Sequence, residues 1–281
     1  MRILRNTAAI SAAVLFASTA LASRDPFVTT AYTPAPHAQG GETATALTTG
    51  FEAPFVPGQL NLQQGWTVST VSGVPVTSVN VATANPKNGV QHVRETDTTN
   101  VANGGVVGAF SANLPQPAND ASVTSVDVFI NDPGGADYRV QGQSPAQGFI
   151  SWRVDFDFLN NINVVDFSGT ALALVDTGFN WAPGVYQNLT VSFVPGGPAG
   201  TPPTAPAGTI VYKLNGATIY TADTLVAATA TDQVLFLNDS FQVANGFGDF
   251  DNLTVTAVPE PTSLGLLGVG AIAAFRRRRR A

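Results

Sequence analysis

Asp155 and Asp157 come closest, by type and spacing, to a reactive pair. Glycoside hydrolysis needs two carboxylates converging on one cleft, and an Asp-x-Asp spacing on an extended chain turns both side chains to one face. The run Phe149-Ile150-Ser151-Trp152-Arg153-Val154-Asp155-Phe156-Asp157-Phe158 supplies that chain but no glutamate, and ahead of the tail the glutamates are Glu42, Glu52 and Glu95. The plain reading is solvent-facing charge on an antiparallel sheet; a polysaccharide-active hydrolase is the alternative. A Ser-His-Asp relay would have to use His92, because the other histidine, His37, sits among prolines, and no Gly-x-Ser-x-Gly elbow is present. His92 reads as a strand residue with one satisfied nitrogen. The absence of cysteine excludes a thiol nucleophile, a disulfide framework and Cys-ligated metals. No residue is assigned a catalytic role.

Binding chemistry has more material. A hard cation wants several oxygens, and Glu52 near the first strand and Asp251 near the last would meet if the terminal strands lie side by side, with Asp249 and Asn252 as further oxygen donors. Against this structural calcium stands the reading of Asp249, Asp251 and Asn252 as Asx-turn residues. No other cofactor is implied. Carbohydrate recognition needs an exposed aromatic face with a few hydrogen-bonding side chains. Trp181 beside Asn180, within Gly178-Phe179-Asn180-Trp181-Ala182-Pro183-Gly184, and Tyr138 after a turn-rich segment are the candidates; Trp66 and Trp152 read as core.

The elements that must position these residues are strands. The chain has 281 residues, 44% hydrophobic and 11% charged, with 27 glycines and 19 prolines, a composition that favours short strands joined by turns. Apolar residues alternate at 150–158, at Val126, Val128 and Ile130, at Leu189, Val191 and Phe193, and at Leu253 and Val255. Asn215-Gly216 predicts a two-residue hairpin turn. Ten to thirteen strands are expected between Gly50 and Thr256, enough for a two-sheet sandwich.

Both ends carry address segments. Arg2 and Arg5, an apolar run and Ala20-Leu21-Ala22 form a secretory signal peptide, residues 1–22, for signal peptidase. At the other end Pro259, Glu260 and Pro261 precede an apolar segment, residues 264–275, and then Arg276, Arg277, Arg278, Arg279 and Arg280. As a helix these 12 residues rise about 18 Å, short of the ~30 Å hydrocarbon core, and the arginines would hold that end in the cytoplasm. Seven of the 13 basic residues lie in these two segments, which leaves six against 19 acidic residues, a net charge of −13 on the exported body. Such a body repels nucleic acid and anionic membrane.

The tail resembles the PEP-CTERM sorting signal of Gram-negative bacteria. That resemblance implies recognition of Pro259, Glu260 and Pro261 by an exosortase, transient inner-membrane anchoring, removal of the hydrophobic tail, and a protein at the cell surface or in an exopolysaccharide matrix. In the body, Asn188-Leu189-Thr190-Val191, the segment from Gly208 to Gly216, and Phe250-Asp251-Asn252-Leu253-Thr254-Val255 are similar to the back half of concanavalin A-like (laminin-G-like) sandwiches. Gly50-Phe51-Glu52 and Gly65-Trp66 resemble the opening of galactose-binding-like jelly rolls, whose corresponding first- and last-strand acids hold a structural calcium. The expectation is therefore an all-β, two-sheet antiparallel jelly-roll sandwich at residues 49–257. A signal helix (1–22) and a flexible lead-in (23–48) precede it, and a sorting segment with a hydrophobic helix (258–281) follows. The expected role is non-enzymatic, structural or glycan-binding, with extracellular polysaccharide as the partner.

Overall fold

The computed structural model describes residues 45–71, 74–97, 105–114, 121–131, 136–145, 149–166, 173–195, 208–224, 231–240 and 246–258. Residues 1–22, the greater part of the lead-in with His37, and residues 259–281 lie outside this set.

Sixteen strands are described: β1 Thr45–Thr49, β2 Gly58–Gln59, β3 Thr67–Val71, β4 Val79–Ala82, β5 His92–Thr96, β6 Gly105–Phe110, β7 Ala121–Ile130, β8 Ala136–Ser144, β9 Phe149–Phe156, β10 Asn161–Asp166, β11 Ala173–Asn180, β12 Gln187–Val194, β13 Thr209–Leu214, β14 Ala217–Asp223, β15 Gln233–Ser240 and β16 Phe247–Val258. The helical element among the described residues is a single 3₁₀ turn, Val76–Ser78. A nine-stranded sheet runs β14-β13-β12-β7-β16-β5-β4-β2, with β1 also paired to β16; a seven-stranded sheet runs β11-β10-β9-β8-β15-β6-β3. Every pairing is antiparallel. The fold is thus the expected all-β, two-sheet antiparallel sandwich. It has more strands than expected; two of the additional ones are β2, only two residues long, and β1, which reaches into the segment read as a lead-in. Thr45-Ala46-Leu47-Thr48-Thr49 lacks an alternating apolar signature, and its pairing with β16 is what makes it a strand.

Apolar alternation sets the core. Leu189, Val191 and Phe193 on β12, Val126, Val128 and Ile130 on β7, and Trp152, Val154 and Phe156 on β9 are buried, as is Trp66. Aromatic rings join the sheets: Phe236 of β15 stacks on Phe250 of β16 at 4.3 Å between centroids and on Trp66 at 5.5 Å, while Phe51 meets Trp66 edge-on. Offset and edge-on pairs of this kind add to the simple burial of apolar area. Asn215 (φ 50) and Gly216 (φ 81) both take positive φ in the β13–β14 turn, the conformation that a two-residue hairpin needs.

Alternation predicts the faces of β9 correctly, but not their exposure. Ser151, Arg153 and Asp155, expected in solvent, are buried like the apolar residues between them.

Candidate functional site

The outer face of the seven-stranded sheet carries the densest polar chemistry among the described residues. On β8, Asp137, Arg139, Gln141 and Gln143 alternate with Tyr138, Val140 and Gly142, so their side chains leave the sheet on the side away from the core. Arg139 sits between three carboxylates from three strands. Its Nε lies 3.2 Å from Asp155 Oδ2, and its Nη2 lies 3.0 Å from Asp239 Oδ2 and 3.8 Å from Asp137 Oδ2. Register makes this cluster: Arg139 is directly opposite Asp155, and Asp137 directly opposite Asp239. Burial works against the charge on Arg139, but Asp155, Asp239 and Asp137 outweigh it and hold the guanidinium above its ordinary value. Burial pushes Asp137 up to about 7, with Arg139 and the Phe158 amide partly offsetting it. Asp239 is also raised by burial, against the pull of Arg139.

Beside this cluster runs a series of hydrogen bonds across the sheet. Arg153 Nε donates to Gln141 Oε1 (2.8 Å), Gln141 Nε2 to Gln143 Oε1 (2.8 Å), Gln143 Nε2 to Gln233 Oε1 (2.8 Å), and Gln233 Nε2 to the Ser111 carbonyl (2.7 Å). A guanidinium only donates. Arg153 therefore fixes the oxygen side of Gln141 and, through it, the orientation of each amide that follows.

The residues singled out from sequence fall elsewhere. Trp181 does not offer an exposed ring: it is 2% exposed, its indole Nε1 donates to the Asp157 carbonyl (3.0 Å) and its amide to the Asn160 carbonyl (3.2 Å). Asn180 Nδ2 donates to the same Asn160 carbonyl (2.8 Å). Together they pin the chain after β11 to the 157–161 turn, which is why a tryptophan stands in a loop. Tyr138 is likewise buried, facing the core from β8, so it too lacks the exposed face that sugar stacking requires. Asp155 and Asp157 form no free pair. Asp155 is engaged by Arg139, while Asp157 accepts from the Leu159 and Asn161 amides and from the Asn161 and Asn163 side chains. His92 is buried with Nε2 3.1 Å from Asp249 Oδ1, and Arg94 grips the same carboxylate through Nε (2.6 Å) and Nη2 (2.8 Å).

Glu52 and Asp251 do come to one place. Because β1 pairs with β16, a Cβ added to Gly50 would lie 3.7 Å from Asp251 Oδ1 and 3.8 Å from Glu52 Cγ. Both carboxylates hold the 87–91 loop. Glu52 Oε1 accepts from the Val90 (2.6 Å) and Gln91 (3.0 Å) amides, and Asp251 Oδ2 from the Lys87 (2.9 Å) and Asn88 (3.1 Å) amides. Asp251 Oδ1 accepts from the Asn252 amide (2.7 Å), where Asn252 (φ 51) lies within an irregularity of the β16–β7 ladder. Amide hydrogens take Glu52 Oε1 and both oxygens of Asp251, and among the described residues no three His, Asp or Glu side chains are grouped to hold a metal. Of the two readings offered by the sequence, a structural calcium or local turn and loop contacts, these bonds are of the second kind.

The order Pro259-Glu260-Pro261, apolar segment, arginine run completes the picture at the end of β16. Residues 257–280 match the PEP-CTERM protein-sorting motif. The motif indicates export and membrane-anchored sorting with processing by an exosortase. Among the described residues no helix is long and apolar enough to cross a membrane. No curated protein matches the sequence. Among solved structures the chain is similar to a sialidase (TM-score 0.44, 9% identity, covering 68% of this chain and 17% of that one). It is also similar to an endo-β-1,4-glucuronan lyase from the fungus Trichoderma reesei (0.45, 11%, 75% and 95%) and to the cellulose induced protein Cip1 (0.48, 13%, 74% and 96%). The chain thus spans about one sixth of the sialidase and nearly the whole of the other two.

Proposed function

We propose that the PEP-CTERM motif delivers a non-enzymatic, glycan-binding β-sandwich to the cell surface or the extracellular polysaccharide matrix. The observation that carries this reading is the outer face of the seven-stranded sheet, where Arg153, Gln141, Gln143 and Gln233 form a continuous hydrogen-bonded row whose half-buried end is Gln143 and Gln233. A sheet face set with amides and charges suits hydroxyl-rich polymers, whose recognition depends on a few well-placed polar groups. The carboxylates weighed for hydrolysis support binding over cleavage, because Asp157 is spent on its own turn and Asp155 on Arg139. The net charge of −13 on the body opposes indiscriminate adhesion. A glycan array probed with the full chain, followed by chromatography of each bound polymer, tests the reading. Retention without shortening of the polymer is expected. Retention of no glycan, or depolymerisation that Asp155→Asn abolishes, would overturn it.

A further inference from the structure

Among the described cationic side chains, Arg153 is the one that is buried without an ion pair. Arg94 is held by Asp249 and Arg139 by three aspartates, while Lys87 lies over the Tyr186 ring. Arg153 is 8% exposed and spends Nε on Gln141. Neither of its terminal nitrogens has an acceptor among the described residues. Burial pulls its proton affinity down, which Asp155 only partly offsets, so the uncompensated charge costs stability that a bound anion would restore. The neighbouring carboxylates make no ion pair with Arg153: Asp155 Oδ2 and Asp239 Oδ2 face Arg139.

Building on the glycan-binding reading, we propose that Arg153 receives the carboxylate of an acidic, uronate-type sugar while Gln143 and Gln233, the half-buried members of the row, meet hydroxyls of the same chain. The guanidinium fork matches a carboxylate with two parallel N–H donors. Because Gln141 holds Nε from one side, the free terminal nitrogens are pre-oriented, and binding need not pay for ordering them. The row's polarity adds to the selectivity: the oxygens of Gln141, Gln143 and Gln233 each already accept a bond, so what Arg153 and the row leave unspent are N–H donors.

The test measures binding of the full chain to sodium polygalacturonate and to its carboxyl-reduced counterpart by affinity electrophoresis. It is repeated with Arg153→Met and Arg153→Lys. Expected are at least tenfold weaker retention of the protein by the reduced polymer, a similar loss on polygalacturonate for Arg153→Met with a thermal midpoint no lower than wild type, and partial recovery for Arg153→Lys. Equal retention by both polymers overturns the uronate assignment and leaves the glycan reading standing. Retention by neither polymer, nor by any glycan on an array, removes both. If Arg153→Met does not fold, the comparison of the two polymers on wild-type protein still decides.

Discussion

The indole Nε1 of Trp181 donates a hydrogen bond to the carbonyl oxygen of Asp157 across 3.0 Å, tying the end of β11 to the turn between β9 and β10. That turn is itself organised by the Asp157 carboxylate, so the two residues form one unit. Trp181→Ala should lower unfolding free energy by about 3–5 kcal/mol, the range for large buried aromatics. Trp181→Phe, which keeps most of the volume and loses the donor, should cost about 1 kcal/mol. Urea denaturation monitored by circular dichroism measures both. A change below ~1 kcal/mol for Trp181→Ala would refute the anchoring role.

Glu95 faces the core from β5 with both carboxyl oxygens buried and without hydrogen-bond partners among the described residues. Burial raises its pKa well above 4.5. The native state then holds a proton that the unfolded chain releases, so stability falls as pH climbs above the unfolded value, by at most about 1.4 kcal/mol per pH unit for each such proton. Asp137, raised to about 7, acts in the same direction between its unfolded value of 3.8 and about 7. The domain should be more stable at pH 5 than at pH 7. Glu95→Gln should flatten the urea midpoint over that interval, and adding Asp137→Asn should flatten it further. A midpoint that rises from pH 5 to pH 7 would contradict this.

Glu52 and Asp251 each hold two amides of the 87–91 loop from outside it. Charge-assisted bonds of this kind contribute about 1.5–3 kcal/mol each at most. Glu52→Gln and Asp251→Asn should each destabilise the fold by about 1–3 kcal/mol and speed amide exchange at Lys87, Asn88, Val90 and Gln91. A chelator should leave the thermal midpoint unchanged. A fall on chelation, reversed by calcium, would show that the loop opens to admit a cation.

A Cβ at Gly248 would stand 2.6 Å from Tyr138 Cδ1, across the interior from β16 to β8. Neither the backbone nor a ring locked in the core can yield cheaply, and overpacking of this kind costs about 1–3 kcal/mol or more. Gly248→Ala is therefore expected to lower the midpoint, and Tyr138→Leu in the same chain to recover part of the loss.

Protein recovered from the native host should begin near Ser23 and lack Leu264 to Ala281. Intact-mass measurement checks both losses. A full-length carboxyl terminus in the culture medium would count against exosortase processing.

The strands and their faces are legible in the sequence because alternation is local. Val154 and Phe156 show which way β9 turns, and Asn215-Gly216 places a hairpin. Whether an outward residue meets water depends on its neighbours across the sheet. Asp155 and Arg139 are sixteen positions apart, and Gln143 and Gln233 are joined only through β15, so nothing in either local run reports the pairing. A trace was present in Asp137-Tyr138-Arg139-Val140-Gln141-Gly142-Gln143, where four long polar side chains share one parity. Trp181 differs from its expected exposure for the opposite reason: its loop position points to solvent, but the 157–161 turn, distant in sequence, covers it.

The strand that leads directly into the sorting motif is β16, and its place in the nine-stranded sheet bears on how the molecule would carry load. β7 pairs along one side of it from Gly248 to Val258, and the other side is shared by β5 at Phe247–Phe250 and β1 at Leu253–Thr256. Tension applied at Val258 along the strand would have to shear these ladders together rather than peel them one bond at a time. A protein held by this end against flowing medium would thus be gripped through its most widely paired strand, and drawing that strand out would also slide Phe250 off the Phe236 ring.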